Sequence, residues 1–225
     1  MEKSMSVKLI AMTRPVPNAN LLTSPEDLIS YCARVSNPKN QANLDTSEKL
    51  LRYCIKNDHW SIFEMVHIVM EINTTRDIAR QILRHRSFSF QEFSQRYADS
   101  SQLGFTVREA RLQDTKNRQN SIETDDKFLQ RTWEQKQKQI IHETGLAYQW
   151  AIENGIAKEQ ARAVLPEGIT NSRLYMAGSL RSWIHFCNLR MGNGTQKEHR
   201  EIATDAWNVI RGEFKFLKTA TDERE

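Results

Sequence analysis

Residues 64–97 read EMVHIVMEINTTRDIARQILRHRSFSFQEFSQRY. Val66, Ile68, Met70 and Ile72 alternate along the first part, which predicts a strand over Glu64–Asn73 with one clear core face. Thr74-Thr75-Arg76-Asp77 reads as a helix start, and Ile78, Ala79, Ile82 and Leu83 form the stripe that follows. Arg80 and Arg84 lie four apart on one face of that helix. The helix therefore ends where Arg84-His85-Arg86 begins, and several long polar side chains leave a rigid element in one direction. Residues 84–97 set three arginines, a histidine, three serines and a carboxylate among three phenylalanines, without a lysine. A guanidinium is a planar fork of donors suited to two-point grips on phosphate oxygens. If the second half of the run is extended, Glu92, Ser94 and Arg96 share one side and Phe93 takes the other. That makes a polar ledge on an apolar backing, suited to an anionic aromatic ligand such as a nucleotide. A solvated arginine face or a half-buried strand has the same composition, so composition alone leaves the choice open.

The chain has 225 residues, 39% hydrophobic and 27% charged, with a formal net charge of +4. This length supports one sizeable core, read as a single domain over 1–225 with a polar connection at about 113–126. No apolar stretch approaches the ~20 residues needed to span a bilayer. Met1 to Ser6 contain no apolar signal core, which argues against secretion. Between residues 57 and 115 there is no lysine, a bias that suits fixed anion grips better than a loose footprint on nucleic acid. Cys32, Cys54 and Cys187 are odd in number and widely spaced, as in a reduced cytoplasmic protein without structural zinc.

Working outward, Val7–Thr13 reads as a strand closed by Pro15 and Pro17. Ser24-Pro25-Glu26-Asp27 starts a helix to about Val35, and a second helix runs over Ser47–Lys56. Gly104–Leu112 is a weak strand candidate, and residues 113–126 read as an exposed connection. Thr124-Asp125-Asp126 caps a long helix to about Asn154, stopped by Gly155, with Phe128, Leu129, Trp133, Ile140, Ile141, Ala147, Tyr148 and Ala151 available for its buried stripe. A short helix follows at Ala157–Val164, then a strand at Ile169–Met176 and helices at Gly178–Leu189 and Glu198–Leu217. Helices dominate and no βαβ rhythm appears, so the class is α+β.

A second constellation, Arg162, Arg173, Arg181 and Arg190, spans a stretch that contains Glu167 as its only acid. It invites anions unless each arginine finds a distant carboxylate. At this point a family resemblance enters. Arg84-His85-Arg86, seven residues, then Ser94, with Arg96 two further on, resembles the signature of the flavin-dependent thymidylate synthases (the ThyX family). Ala161-Arg162-x-Val164-Leu165-Pro166 and Asn188-Leu189-Arg190 are similar to further landmarks, and the likeness runs from Ala33-Arg34-Val35-Ser36 to about Ile202.

The resemblance implies methylation of deoxyuridine monophosphate (dUMP) at C5. The carbon would come from methylenetetrahydrofolate and the reducing equivalents from NADPH through FAD. It also implies a small, mostly antiparallel sheet packed with long helices, and a homotetramer with active sites shared between subunits. By matched position, Gln81, Arg84, Glu92, Ser94, Gln95, Arg96, Arg162 and Arg190 would hold the nucleotide, with Arg96 and Arg162 on its phosphate. Ser36, Ser61, Glu64, Arg84, His85, Arg86, Glu92, Ser179, Arg181 and His185 would line FAD. Arg190 and His59 would be catalytic. Arg190 remains protonated and so would stabilise the ionised uracil rather than act as a base.

The other route to thymidylate needs a low-pKa cysteine nucleophile. Here Cys32 and Cys54 fall on apolar helix stripes, and Cys187 lies off the face of His185. No histidine has metal-ligand spacing, so no metal is expected. The chain departs from relatives at Gln95, where many have Gly, in a Gly192–Gly194 loop lacking a histidine, and by one extra residue around 167–172. Competing readings are a nucleic-acid platform, which would show steep salt dependence, and a non-catalytic nucleotide-binding subunit.

Overall fold

The computed structural model describes residues 5–17, 19 and 22–217; residues 1–4, part of the segment read for a signal core, lie outside them. Four strands, β1 (Ser6–Met12), β2 (His67–Thr75), β3 (Ser89–Glu92) and β6 (Asn171–Ser179), form an antiparallel sheet in the order β1-β2-β6-β3. Alternation decides its faces. Ile68, Met70 and Ile72 of β2 and Leu174 and Met176 of β6 are buried on one side, with Met70 opposite Met176 and Ile72 opposite Leu174. β2 begins later than the alternation predicts because Ser61–Met65 wind into a 3-10 turn that buries Phe63.

Helices α1 (Pro25–Ala33), α2 (Ser47–Lys56), α3 (Arg76–Ile82), α6 (Leu180–Arg190) and α7 (Lys197–Glu213) complete the core, which joins Ile29, Leu51, Ile78, Trp183, Ile202 and Ile210. The start of α1 is fixed by a reciprocal capping box: Asp27 N–H donates to Ser24 Oγ at 3.1 Å and Ser24 N–H to Asp27 Oδ2 at 2.9 Å. At Gly178 the sheet admits the Phe88 ring so closely that a Cβ there would lie 2.4 Å from Phe88 Cδ1. That ring meets Trp183 edge-on at 5.0 Å, locking the start of β3 to α6.

Three expectations need correction. The connection at 113–126 contains a hairpin of β4 (Arg111–Gln113) and β5 (Ser121–Glu123), and the weak strand at Gly104–Leu112 reduces to a bridge at Phe105 and the start of β4. Its polar residues build the turn: Asp114 Oδ1 accepts from Lys116 N–H at 2.8 Å, and Gln113 Nε2 donates to Asn120 O at 3.3 Å. The long helix α4 (Lys127–Glu153) is capped by Asp126 and followed by Gly155 at φ +73°, as its sequence requires. Its stripe, however, is largely open. Tyr148 and Ala151 are buried, whereas Phe128, Trp133, Ile140 and Ala147 face solvent. An apolar face identifies something to cover, not what covers it. Finally, the extended run stops at Glu92, and the chain turns at Ser94, whose carbonyl accepts from Tyr97 N–H at 3.1 Å and Ala98 N–H at 2.9 Å. The ledge of Glu92, Ser94 and Arg96 is therefore not one face of a strand. No helix among the described residues is long and apolar enough to cross a membrane.

Candidate active site

The turn after β3 aims Arg96 at α5 (Lys158–Ala161). Its Nε and Nη2 both donate to Glu159 Oε2, at 3.2 and 3.0 Å. Arg162, just beyond that helix, donates from Nε to the Glu159 carbonyl at 3.3 Å. Two arginines from distant stretches thus share one acidic residue, leaving excess positive charge on an exposed surface. Beside them Ser94 is exposed, and Gln95 is buried with no partner for its Nε2 among the described residues. Glu92 faces differently: its Oε1 accepts from Arg76 Nη1 at 3.3 Å and from Ser172 Oγ at 2.8 Å. Sequence reasoning missed Glu159, although its position three before Arg162 puts both on one helical face.

A second group gathers where α3 and α6 end. Arg190 Nε donates to His85 Nε2 at 2.9 Å. Burial, and then the positive charge of Arg190, holds His85 down to about 4, so the imidazole is neutral and its single proton sits on Nδ1. The ring is seated edge-on against Phe186 at 4.9 Å. Flanking Arg84 and Arg86 are exposed and make no ion pair among the described residues. Gln81, one turn back on α3, donates from Nε2 to Gln196 Oε1 at 2.8 Å, and its Oε1 lies 3.3 Å from His199 Nδ1. Neither Gln196 nor His199 was a sequence candidate.

The third group surrounds the first turns of α6. Ser179 Oγ caps that helix, accepting from Ser182 N–H at 3.2 Å. Arg181 Nη1 donates to Glu64 Oε1 at 2.7 Å, and this bond first of all holds the Glu64 carboxyl below its usual range. Ser61 opens the same 3-10 turn, exposed. His185 is exposed, with its ring centroid 4.5 Å from that of Trp60. Asp58, at φ +58°, turns the chain into His59, which is exposed with its ring 6.0 Å from Tyr53. Ser36 lies just past α1, which packs on the 3-10 turn.

Of the four arginines at 162–190, Arg181 has a carboxylate partner. Arg162, Arg173 and Arg190 bond only neutral groups among the described residues. Ordinary pairing thus does not account for the set. The thiols offer no alternative chemistry. Cys54 and Cys187 are buried in the core, and burial pushes all three cysteine thiols up. A concavity of about 490 Å³ beside Lys8 and Glu71 is lined by Arg173 of the second constellation and by none of the residues matched to nucleotide or FAD binding. The groups themselves lie open on the surface of one chain. Arg96 follows β3 in the chain and joins Glu159, whereas His85, the partner of Arg190, precedes β3.

The family described as "Thymidylate synthase complementing protein" matches residues 19–214. A Synechocystis protein named "Flavin-dependent thymidylate synthase" is 49% identical over 220 residues, covering 97% of this chain and 100% of its own. A protein of Paramecium bursaria Chlorella virus 1, named "Probable flavin-dependent thymidylate synthase", is 46% identical over 218 residues, covering 97% and 99%. Among solved structures, the UMP/dUMP methylase PolB of Streptomyces cacaoi, bound with 5-Br dUMP, superposes with a TM-score of 0.77 at 23% identity, covering 97% of this chain and 94% of that one. That last likeness concerns the fold.

Proposed function

The chain belongs to the flavin-dependent thymidylate synthase family, and on that premise we propose how its side chains divide the work. It is an enzyme that methylates dUMP at C5 to give thymidine monophosphate, drawing carbon from methylenetetrahydrofolate. FAD, when bound, supplies the hydride-transfer chemistry that links NADPH to this methylation.

The residues fit that cofactor. Arg84 and Arg86, without a carboxylate partner among the described residues, suit its diphosphate, and the Trp60–His185 ring pair beside Arg181 offers an aromatic wall. Ser36, Ser61, Glu64 and Ser179 add hydroxyl and carboxylate partners, and His85 completes the set from its place against Phe186. His59 stands at the open edge of this surface, where the folate must approach.

Arg96 and Arg162 take the phosphate of dUMP. Glu159 keeps the two guanidiniums together in its absence. Ser94 and the Nε2 of Gln95 lie beside them, and Glu92 anchors the approach through Arg76 and Ser172. Gln81, Arg84 and Arg190 meet the pyrimidine. Arg190 stabilises negative charge as N3 loses its proton, a preorganised donor role worth a few kcal/mol in other enzymes. Because His85 is neutral, it orients the guanidinium without neutralising it.

The enzyme works as one catalytic domain assembled into a homotetramer, with each site shared between subunits, in the cytoplasm. The grouping of the arginines carries this reading: Arg96 and Arg162 share Glu159, whereas Arg190 joins His85, so the phosphate grip and the pyrimidine grip are separate clusters that a second copy can bring together. The open apolar face of α4 supplies surface for such an assembly.

The purified protein is expected to be yellow, to bleach with NADPH, and to release tritium from C5-labelled dUMP in the presence of methylenetetrahydrofolate. Colourless protein with no affinity for added FAD contradicts this.

A further inference from the structure

Glu198, almost fully buried at the start of α7, has Oε1 clamped by Arg108 Nη1 at 2.9 Å and Arg111 Nη2 at 2.5 Å. The Arg111 bond and the charges of both arginines overcome burial and hold its carboxyl down to about 2. It is thus an ionised acceptor with nothing to donate. Its Oε2 accepts from Gln196 Nε2 at 2.9 Å. Gln196 must therefore turn its amino group toward Glu198 and its carbonyl toward Gln81.

Gln81 answers with Nε2, at 2.8 Å, which leaves its Oε1 facing His199 Nδ1 at 3.3 Å. A carbonyl oxygen only accepts, so the proton of His199 belongs on Nδ1. Direction is fixed at every link, starting from one buried carboxylate.

His199 itself is wholly buried, between the rings of His85 at 6.2 Å and Phe186 at 5.7 Å. Burial and then the positive charge of Arg190 hold it down to about 3, so it is neutral and its Nε2 is bare. That Nε2 has no partner among the described residues. An orphaned buried acceptor is destabilising, and an apolar side chain would fill the space without it. The histidine is accounted for by what its other nitrogen does.

We propose that Glu198, Gln196 and His199 are positioning residues for Gln81: they fix its carboxamide so that the pyrimidine meets one free amide N–H and one free carbonyl lone pair in a set order. A donor beside an acceptor is the complement of an imide edge, the edge that neutral uracil presents as it binds, before N3 loses its proton. This inference rests on the nucleotide-binding role of Gln81 given above. It adds three residues from the far end of the chain that act through Gln81 without touching substrate.

The test is equilibrium binding of dUMP to the FAD-loaded protein. His199→Leu is expected to keep its flavin content and weaken dUMP binding about fivefold, as for one lost hydrogen bond. His199→Asn, which keeps a donor near Nδ1, should come within about twofold of the parent. Gln196→Leu, which leaves the core intact, should weaken binding by a similar amount. In a Gln81→Leu background, His199→Leu should add less than about twofold, because its effect passes through the missing amide. A purely structural role predicts full additivity and no recovery by Asn. Either result, or unchanged dUMP binding in both single Leu variants, overturns this inference alone. A parent protein that binds FAD but not dUMP overturns the nucleotide reading and this inference with it.

Discussion

Arg190 and His85 form a cation–neutral pair: the arginine Nε–H points at a bare imidazole nitrogen 2.9 Å away. A carboxylate in that place would have held the guanidinium equally still but cancelled the charge needed by an ionised pyrimidine. Arg190→Lys loses the planar fork and keeps a point charge. Turnover is expected to fall by about tenfold or more, with a smaller loss of dUMP affinity. Steady-state rates beside a binding isotherm check this; an unchanged turnover number removes Arg190 from the chemistry.

His85 and His199 make stability pH-dependent. Their folded values, about 4 and about 3, lie below the ordinary 6.5, so the unfolded chain takes up protons first on acidification. Stability from these groups is full above pH 6.5 and falls as pH drops toward the folded values. Between pH 7 and 5, His199 alone accounts for a loss of roughly 2 kcal/mol, about 4–8 °C in Tm. Calorimetry should show this slope flattened in His199→Asn. An equal slope in parent and variant would place the titration elsewhere.

Arg96→Ala and Arg162→Ala should each raise the Kd for dUMP by about tenfold or more, the range for a charge-assisted bond. Deoxyuridine, which lacks the phosphate, provides the control. Its weak binding should be unchanged in both variants, and equal losses for both ligands would take these arginines off the phosphate.

Gly178→Ala places a methyl group inside the Phe88 ring contact. The ring is pinned by Trp183 and Phe186, so the expected cost is about 1–3 kcal/mol, with the start of β3 displaced. Thermal unfolding at fixed FAD concentration reads it, and an unshifted Tm would mean that the ring has room to swing away.

Local chemistry made much of this fold legible. Helix α2 runs over Ser47–Lys56, where its apolar spacing puts it, and Gly155 follows α4 as read. What escaped depends on long-range contacts. The face of α4 was visible as apolar, but an apolar pattern does not say what packs on it, and most of this one is exposed. Glu159 and His199 looked like ordinary surface or core residues because their partners, Arg96 and Gln81, are 63 and 118 positions away. The polar residues of 113–126 looked unstructured because they bond to their own turn. The arginine constellation was readable because acids are scarce around it.

The most direct measurement is subunit complementation. Arg190→Ala and Arg162→Ala variants, each expected to be nearly inactive alone at dUMP concentrations well below the raised Kd of Arg162→Ala, are co-expressed and the mixed oligomers assayed at that concentration for tritium release from C5 of dUMP. If Arg190 of one copy meets the Arg96–Arg162 pair of another, random mixing leaves about a quarter of the sites intact and activity returns to that order. Activity no higher than that of the two variants assayed separately would mean that each nucleotide is held by one chain, and the shared site would be wrong.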